Sequence, residues 1–285
     1  YHLNDKDIAL ICSSHSGTDA HYQAALDLQA KCGVLESDLL CGTHPPMHEP
    51  TALALRLRGE QPTPNRHNCS GKHSGMIAYA RMRHLDYKDY INPNHPIQQT
   101  IRVTFAQMCN LTAENVIVGT DGCSAPNFAV PLYNAAWAYA RLCDPSSGSV
   151  EPPQRVQACQ LITHAMIAHP EMVGGPDRFD TRLMEVAKGK LVSKGGAEGY
   201  QGLGIMPNAL GESSPAIGIA IKISDGDLKG RAISAISLEV LRQLQVLNTN
   251  ELEELAEFGP IVPLRNFRSY TVGMGKPNLK LEWKE

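Results

Sequence analysis

The chain opens on a short apolar run, DIALICSSH, whose spacing predicts a strand. It is followed by the loop SHSGTD and by helical periodicity through AHYQAALDLQAKCG. Thr18 or Asp19 caps that helix and Gly33 stops it. A second helix is predicted at TALALRLRG, again closed by a glycine. The prolines and glycines of EQPTPNRHNCSGKHSG argue against regular structure, and this stretch feeds into an apolar helix at MIAYARMRHL. Helical spacing returns in PIQQTIRVTFAQMCNL, while ENVIVGTDGCSAPNFAVP predicts a buried strand ending in a glycine-rich loop. Two more helices, NAAWAYARLC and QRVQACQLITHAMIAH, are split by DPSSGSVEPP, which has the composition of a surface insertion; AHPEMVGG reads as a sharp turn after the second.

Past Gly174 the pattern changes. LVSKGGAEG and AIGIAIKISDGDLKGRAISAI predict strands, the latter turning through a hairpin signal at Asp225-Gly226, and ISLEVLRQLQVL predicts a long helix. Strands at both ends with helices between them predict an α+β fold in which the two ends build the sheet. A helical section over roughly 74–172 is inserted into it, and residues 1–285 form a single unit. No repeat of 20–50 residues is present.

Composition narrows the function. Hydrophobic residues make up 42% and charged residues 19% of the 285-residue chain, as in an ordinary soluble globule. A formal net charge of −3 supplies no positive surplus for following phosphates, so nucleic acid is not an expected partner. Apolar runs such as AIGIAIKI fall far short of the roughly 20 residues that cross a bilayer. The chain opens with neither a secretory signal nor a transit segment, so a cytoplasmic address is expected. The eight cysteines form no CxxC pair and are expected to be reduced, with Cys109 and Cys159 serving as small buried hydrophobes.

Candidate chemistry concentrates in RHNCSGKHSG, Arg66 to Gly75. A phosphate loop fails there, because Arg66 and His73 occupy the positions where a glycine and a hydroxyl are needed. Cys69, His67 and His73 are metal-ligand types, with Asp121 and Cys123 waiting in a second glycine-rich loop, although the spacing matches no familiar zinc pattern. Nucleophilic catalysis has candidates in Ser13, Ser14, Ser16, Cys69 and Ser70, with Lys72 and Lys194 as amines that burial could neutralise. SKGGAEG invites comparison with the strand-borne lysine of penicillin-recognising enzymes.

Seven segments, in order, carry a resemblance: CSSHSGTDAH, HNCSGKHSGM, HPIQQTI, GTDGCSAPNFAVP, HPEMVGG, LVSKGGAEG and GIAIKISDGD. Together they resemble the Rhizobium-type (class 3, asparaginase II) asparaginases along nearly the whole chain. The resemblance implies hydrolysis of L-asparagine to L-aspartate and ammonia by a homodimer. It also implies a fold similar to serine β-lactamases and glutaminases, an antiparallel sheet flanked by helices with a helical subdomain. In that family's pattern Ser14 matches a second active-site serine and Lys194 its lysine partner. Cys69, Lys72 and Cys123 match a zinc site beside the substrate pocket, which His73, Asp121 and Gly122 then line by adjacency.

One departure stands out. The family's first serine lies in an Arg-Ser-x-x-Lys motif upstream of CSSHSG, and no such motif occurs here, so a further segment before Tyr1 is expected. Ser14 and Lys194 are then expected to relay a proton, while Cys69, Lys72, Cys123 and their metal position the substrate. Two other readings stay open: a glutaminase or penicillin-recognising hydrolase on the same fold, and a zinc-binding relative without catalysis.

Overall fold

The computed structural model describes residues 1–228 and 230–283. It begins with a helix rather than the expected strand: α1 spans Asp5–Ile11. The reason is local. Asn4 accepts from the Asp7 N–H at 3.0 Å while the Asp7 carboxylate accepts from the Asn4 N–H at 2.8 Å, a capping box that starts a helix despite the strand-like apolar run behind it. The N-terminal end therefore contributes no strand to the sheet.

Helix α2 (Asp19–Cys32) follows with Thr18 as cap and a left-handed Gly33 as stop, as its sequence predicts; α3 covers Glu49–Leu57. Helix α4 (Ser70–Met82) begins inside the stretch expected to be irregular. Its glycines are there for closeness. A methyl group on Gly71 would collide with the Leu10 carbonyl, and one on Gly75 would lie 2.9 Å from Ile11 Cγ2, so SGKHSG is the face on which α1 crosses α4.

Helix α5 (Pro96–Met108) leads to strands β1 (Ile117–Thr120) and β2 (Pro126–Ala129), an antiparallel hairpin. Ile117 is 71% exposed, so the buried strand expected here is a surface ribbon, and the section between 74 and 172 is not purely helical. Helices α6 (Leu132–Cys143), α7 (Pro153–Ala168) and α8 (Pro170–Val173) follow, α8 occupying the turn read from AHPEMVGG. Next comes α9 (Phe179–Ala187), a helix not predicted above.

The main sheet comes from the second half of the chain. Strands β3 (Leu191–Gly196), β4 (Tyr200–Ile205) and β5 (Ile217–Lys222) are antiparallel in the order β3-β4-β5. Among the described residues no second strand follows the turn at Asp225-Gly226. Instead the Asp227 carboxylate accepts the N–H groups of Arg231, Ala232 and Ile233 at 2.8–2.9 Å, which opens α10 (Ile233–Gln243). After α11 (Thr249–Glu254), β6 (Val262–Arg265) and β7 (Thr271–Gly275) form a separate exposed hairpin. The architecture is α+β: many helices around small antiparallel sheets. Among the described residues no helix is long and apolar enough to cross a membrane.

The core runs from Leu10 and Leu28 through Ile77, Leu183 and Leu191 to Leu203 and Leu238. Helix α6 lies directly on a glycine stripe of the sheet. A methyl at Gly218 would enter the Ala136 carbonyl, and one at Gly202 would enter the Tyr139 ring. Gly218→Ala is therefore expected to lower unfolding free energy by about 1–3 kcal/mol, read as a lower urea midpoint at an unchanged slope. All eight cysteines are unpaired, and Cys109 and Cys159 are buried.

Candidate active site

A cleft of about 1080 Å³ opens where the end of α1, the start of α4, the β1–β2 turn and the end of β3 converge. Strand alternation aims the lysine of β3 into it. Ser193 is fully buried on one side of the strand, so Lys194 points the other way, toward the cleft. The Lys194 Nζ lies 2.8 Å from Ser14 Oγ and donates to the Gly195 carbonyl at 2.5 Å.

Burial pushes the Lys194 pKa below the ordinary lysine value. The Asp180 carboxylate opposes that shift, and the Arg178 charge adds to it. A hydroxyl beside an amine biased toward its neutral form is an arrangement able to pass a proton in either direction.

The three serines after α1 now separate. Ser13 Oγ donates to the Leu10 carbonyl at 2.6 Å and Ser16 Oγ to the Gly174 carbonyl at 2.9 Å. Ser14 is the one of the three whose hydroxyl meets an amine, and its own N–H is anchored on the Val173 carbonyl at 3.1 Å.

Ser70 has a histidine partner but is not activated. His15 Nδ1 accepts the Gly17 N–H at 3.1 Å, which places the ring proton on Nε2, facing Ser70 Oγ at 2.8 Å. His15 thus donates to Ser70, which in turn donates to the Asn65 carbonyl at 3.3 Å, and both side chains are fully buried. The Cys12 thiol lines the cleft, and burial raises its pKa to about 11, so it stays protonated.

A second cluster forms the opposite wall. Cys69 is the N-cap residue of α4, and a tight turn in which Ser124 N–H meets the Asp121 carbonyl at 2.9 Å brings Asp121 and Cys123 alongside it. Ligand atoms of Cys69, Asp121 and Cys123 all lie within 4.8 Å of one another. Cys123 Sγ is 3.0 Å from Asp121 Oδ2, and Lys72 Nζ is 3.2 Å from that sulfur and 3.3 Å from that oxygen.

The Cys123 pKa is lowered, first by the hydrogen bond from the Cys69 thiol and further by His73 and the Lys72 charge. Cys69 is correspondingly raised, so the single proton rests on Cys69. Burial acts to neutralise Lys72, but Cys69, Cys123 and Asp121 outweigh it, and the Lys72 pKa is raised. Lys72 is the cation that faces both Cys123 Sγ and the Asp121 carboxylate.

The structure revises where some expected residues stand. Asp121 belongs to the sulfur cluster as well as to the cleft wall, and Gly122 lines the cleft. His73 lies behind the wall, fully buried, its Nδ1 2.6 Å from the Tyr90 hydroxyl, because it occupies the inward face of α4. His67 and His44 do reach the cleft, their rings 4.3 Å apart, with His67 held neutral as burial lowers its pKa to about 4. Asp180, which approaches Lys194 from α9, belongs to no motif; only the helical spacing of Asp180, Leu183, Met184 and Ala187 signals its inward face.

A comparison with curated proteins finds no match. Residues 1–276 match the family model described as L-asparaginase II. That match spans nearly the whole sequence and takes in both Ser14–Lys194 and the Cys69–Asp121–Cys123 cluster, so the chain belongs to the L-asparaginase II family.

Proposed function

We propose that this protein hydrolyses the side-chain amide of L-asparagine to L-aspartate and ammonia through an activated serine, with Ser14 and Lys194 handling the proton. The observation that carries the reading is the 2.8 Å contact between Lys194 Nζ and Ser14 Oγ in a cleft large enough for an amino acid. The reaction class is acyl transfer. A serine oxygen attacks the amide carbon, the amide nitrogen takes a proton and leaves as ammonia, and water cleaves the ester. As the attacking serine gives up its hydroxyl proton to Ser14, Ser14 passes its own proton to neutral Lys194, which returns it toward the leaving nitrogen.

The donor set on the opposite wall fits a metal ion: two sulfurs and a carboxylate oxygen lie within 4.8 Å of one another, and one of the sulfurs and the carboxylate already face the Lys72 ammonium. We assign Zn²⁺ to Cys69, Cys123 and Lys72, with Asp121 adjoining them. Zinc, when bound, acts as a Lewis acid toward a polar substrate group. Lys72 can offer its lone pair only after losing the proton it holds as counter-ion. His73, Asp121 and Gly122 remain the proposed substrate-side residues, His73 acting from behind Cys123. The same reading includes a serine β-lactamase/glutaminase-like catalytic domain over 1–285, assembled as a cytoplasmic homodimer.

An ammonia-release assay with L-asparagine and L-glutamine, run beside a chromogenic β-lactam, tests the proposal. Asparagine is expected to give the highest kcat/KM. Preferential glutamine turnover would point to a glutaminase, and β-lactam cleavage without ammonia from asparagine to a penicillin-recognising hydrolase. Bound zinc with no turnover of any of the three would mark a non-enzymatic relative.

A further inference from the structure

If Lys194 works as proposed, its amine must be presented to Ser14 from a strand that is only half supported. Strand β3 pairs with β4 along one edge, and among the described residues the other edge has no neighbouring strand in this sheet. One buried carboxylate caps it beside Lys194. Asp180, in the first turn of α9 and 6% exposed, accepts the Gly195 N–H on Oδ2 at 2.8 Å and the Ser193 hydroxyl on Oδ1 at 2.6 Å. Gln201 Nε2 completes the network, 2.8 Å from Asp180 Oδ1 and 2.9 Å from Ser193 Oγ.

The carboxylate therefore grips the residues immediately before and after Lys194. Glycine at 195 leaves the room for it, since a Cβ there would stand 3.1 Å from Asp180 Oδ2. Three buried polar side chains arranged this way are costly to assemble unless fully hydrogen-bonded, and these are satisfied by one another and by the strand.

We propose that Asp180 is the positioning residue of the Ser14–Lys194 pair: by clamping residues 193 and 195 it fixes the direction in which β3 presents the Lys194 amine to the cleft, and it supplies the buried counter-charge on that side. The inference rests on the proton-handling role given to Lys194 above.

Other groups also face Lys194. Arg178 approaches from the segment before α9, Lys72 and Cys69 from α4, and Cys12 and Ser14 from the end of α1. Arg178 and Lys72 disfavour the ammonium, whereas Asp180 favours it. Removing the Asp180 charge therefore moves Lys194 deprotonation to lower pH.

The test uses protein carrying ¹³C-labelled lysine, with the Lys194 ¹³Cε signal assigned through Lys194→Arg, alongside steady-state kinetics. Asp180→Asn removes the charge and keeps the shape. It is expected to lower the Lys194 titration midpoint by about one pH unit and, because its amide nitrogen cannot accept as the second carboxylate oxygen does and so loosens the clamp, to lower kcat on the high-pH plateau about tenfold, with KM within about twofold. Ser193→Ala keeps the charge and releases half of the clamp, so the midpoint stays in place while kcat falls several-fold. An unmoved midpoint in Asp180→Asn, or wild-type kcat in Ser193→Ala, overturns the proposal. Absence of amidase activity in the unsubstituted protein would overturn the asparaginase reading instead, and the NMR midpoint would still decide whether Asp180 acts on Lys194.

Discussion

Lys194→Ala is expected to lower kcat for L-asparagine by about 10³-fold while KM changes by no more than a few-fold, because general acid–base groups contribute typically 10²–10⁴-fold to turnover. The argument starts from burial. An amine withdrawn from water loses part of its preference for the charged form, and Lys194 is desolvated enough that its pKa drops despite the Asp180 carboxylate. Its contacts are a hydroxyl and a carbonyl, not an ion pair, so the neutral state loses no salt bridge.

The sign of the pH dependence follows. Protonated Lys194 cannot accept the Ser14 proton, so kcat rises with pH through the lowered pKa, at lower pH than an ordinary lysine would set. Lys194→Arg separates charge from basicity: arginine holds its proton throughout this range, so the variant is expected to be as inactive as the alanine one. Steady-state kinetics from pH 6 to pH 10 read both effects. Near-native turnover in Lys194→Ala would end the proton-handling role of the pair.

Features fixed by neighbours in sequence were legible from the sequence. Thr18 and Gly33 bound α2 because a cap and a left-handed stop act within a few residues. The strand around Lys194 was visible in LVSKGG for the same reason. Misreadings arose where tertiary contacts outweigh local pattern. Gly71 and Gly75 look like loop residues until α1 is placed against them, and Asn4–Asp7 is a capping box hidden ahead of an apolar run.

The site divides along the same line. Nothing local distinguishes Ser14 from Ser13 or Ser16, because the deciding partner is 180 positions away. Cys69, Asp121 and Cys123 stood out in the sequence only as ligand types in two separate glycine-rich loops, and the structure brings the three together. Asp180 stayed hidden because the helix that carries it, α9, was not expected.

Cys123→Ser is expected to reduce bound zinc from about one equivalent per chain to a small fraction of that, with at least about a 100-fold loss of affinity, since it removes a ligand rather than the outer partners whose loss costs 10–100-fold. Cys123 is the sulfur already biased toward the thiolate, by the Cys69 hydrogen bond first and by His73 and the Lys72 charge after it. A serine hydroxyl in the same place would not ionise comparably and is a poor match for a metal that favours sulfur and nitrogen. Cys69→Ser removes the second sulfur and is expected to behave alike.

Lys72→Ala decides how the set is completed. Lys72 stands 3.3 Å from Asp121 Oδ2 and 3.2 Å from Cys123 Sγ, close enough to be either a ligand or the cation that a metal replaces. If its nitrogen is a ligand, as proposed, Lys72→Ala loses zinc affinity at least tenfold and Asp121→Ala less. If Lys72 only balances charge, its removal leaves two sulfurs and a carboxylate with more uncompensated negative charge, and zinc binds more tightly, while Asp121→Ala strips it. Metal content by mass spectrometry after chelator titration reads the difference directly, and tighter binding in Lys72→Ala would transfer the third ligand position to Asp121.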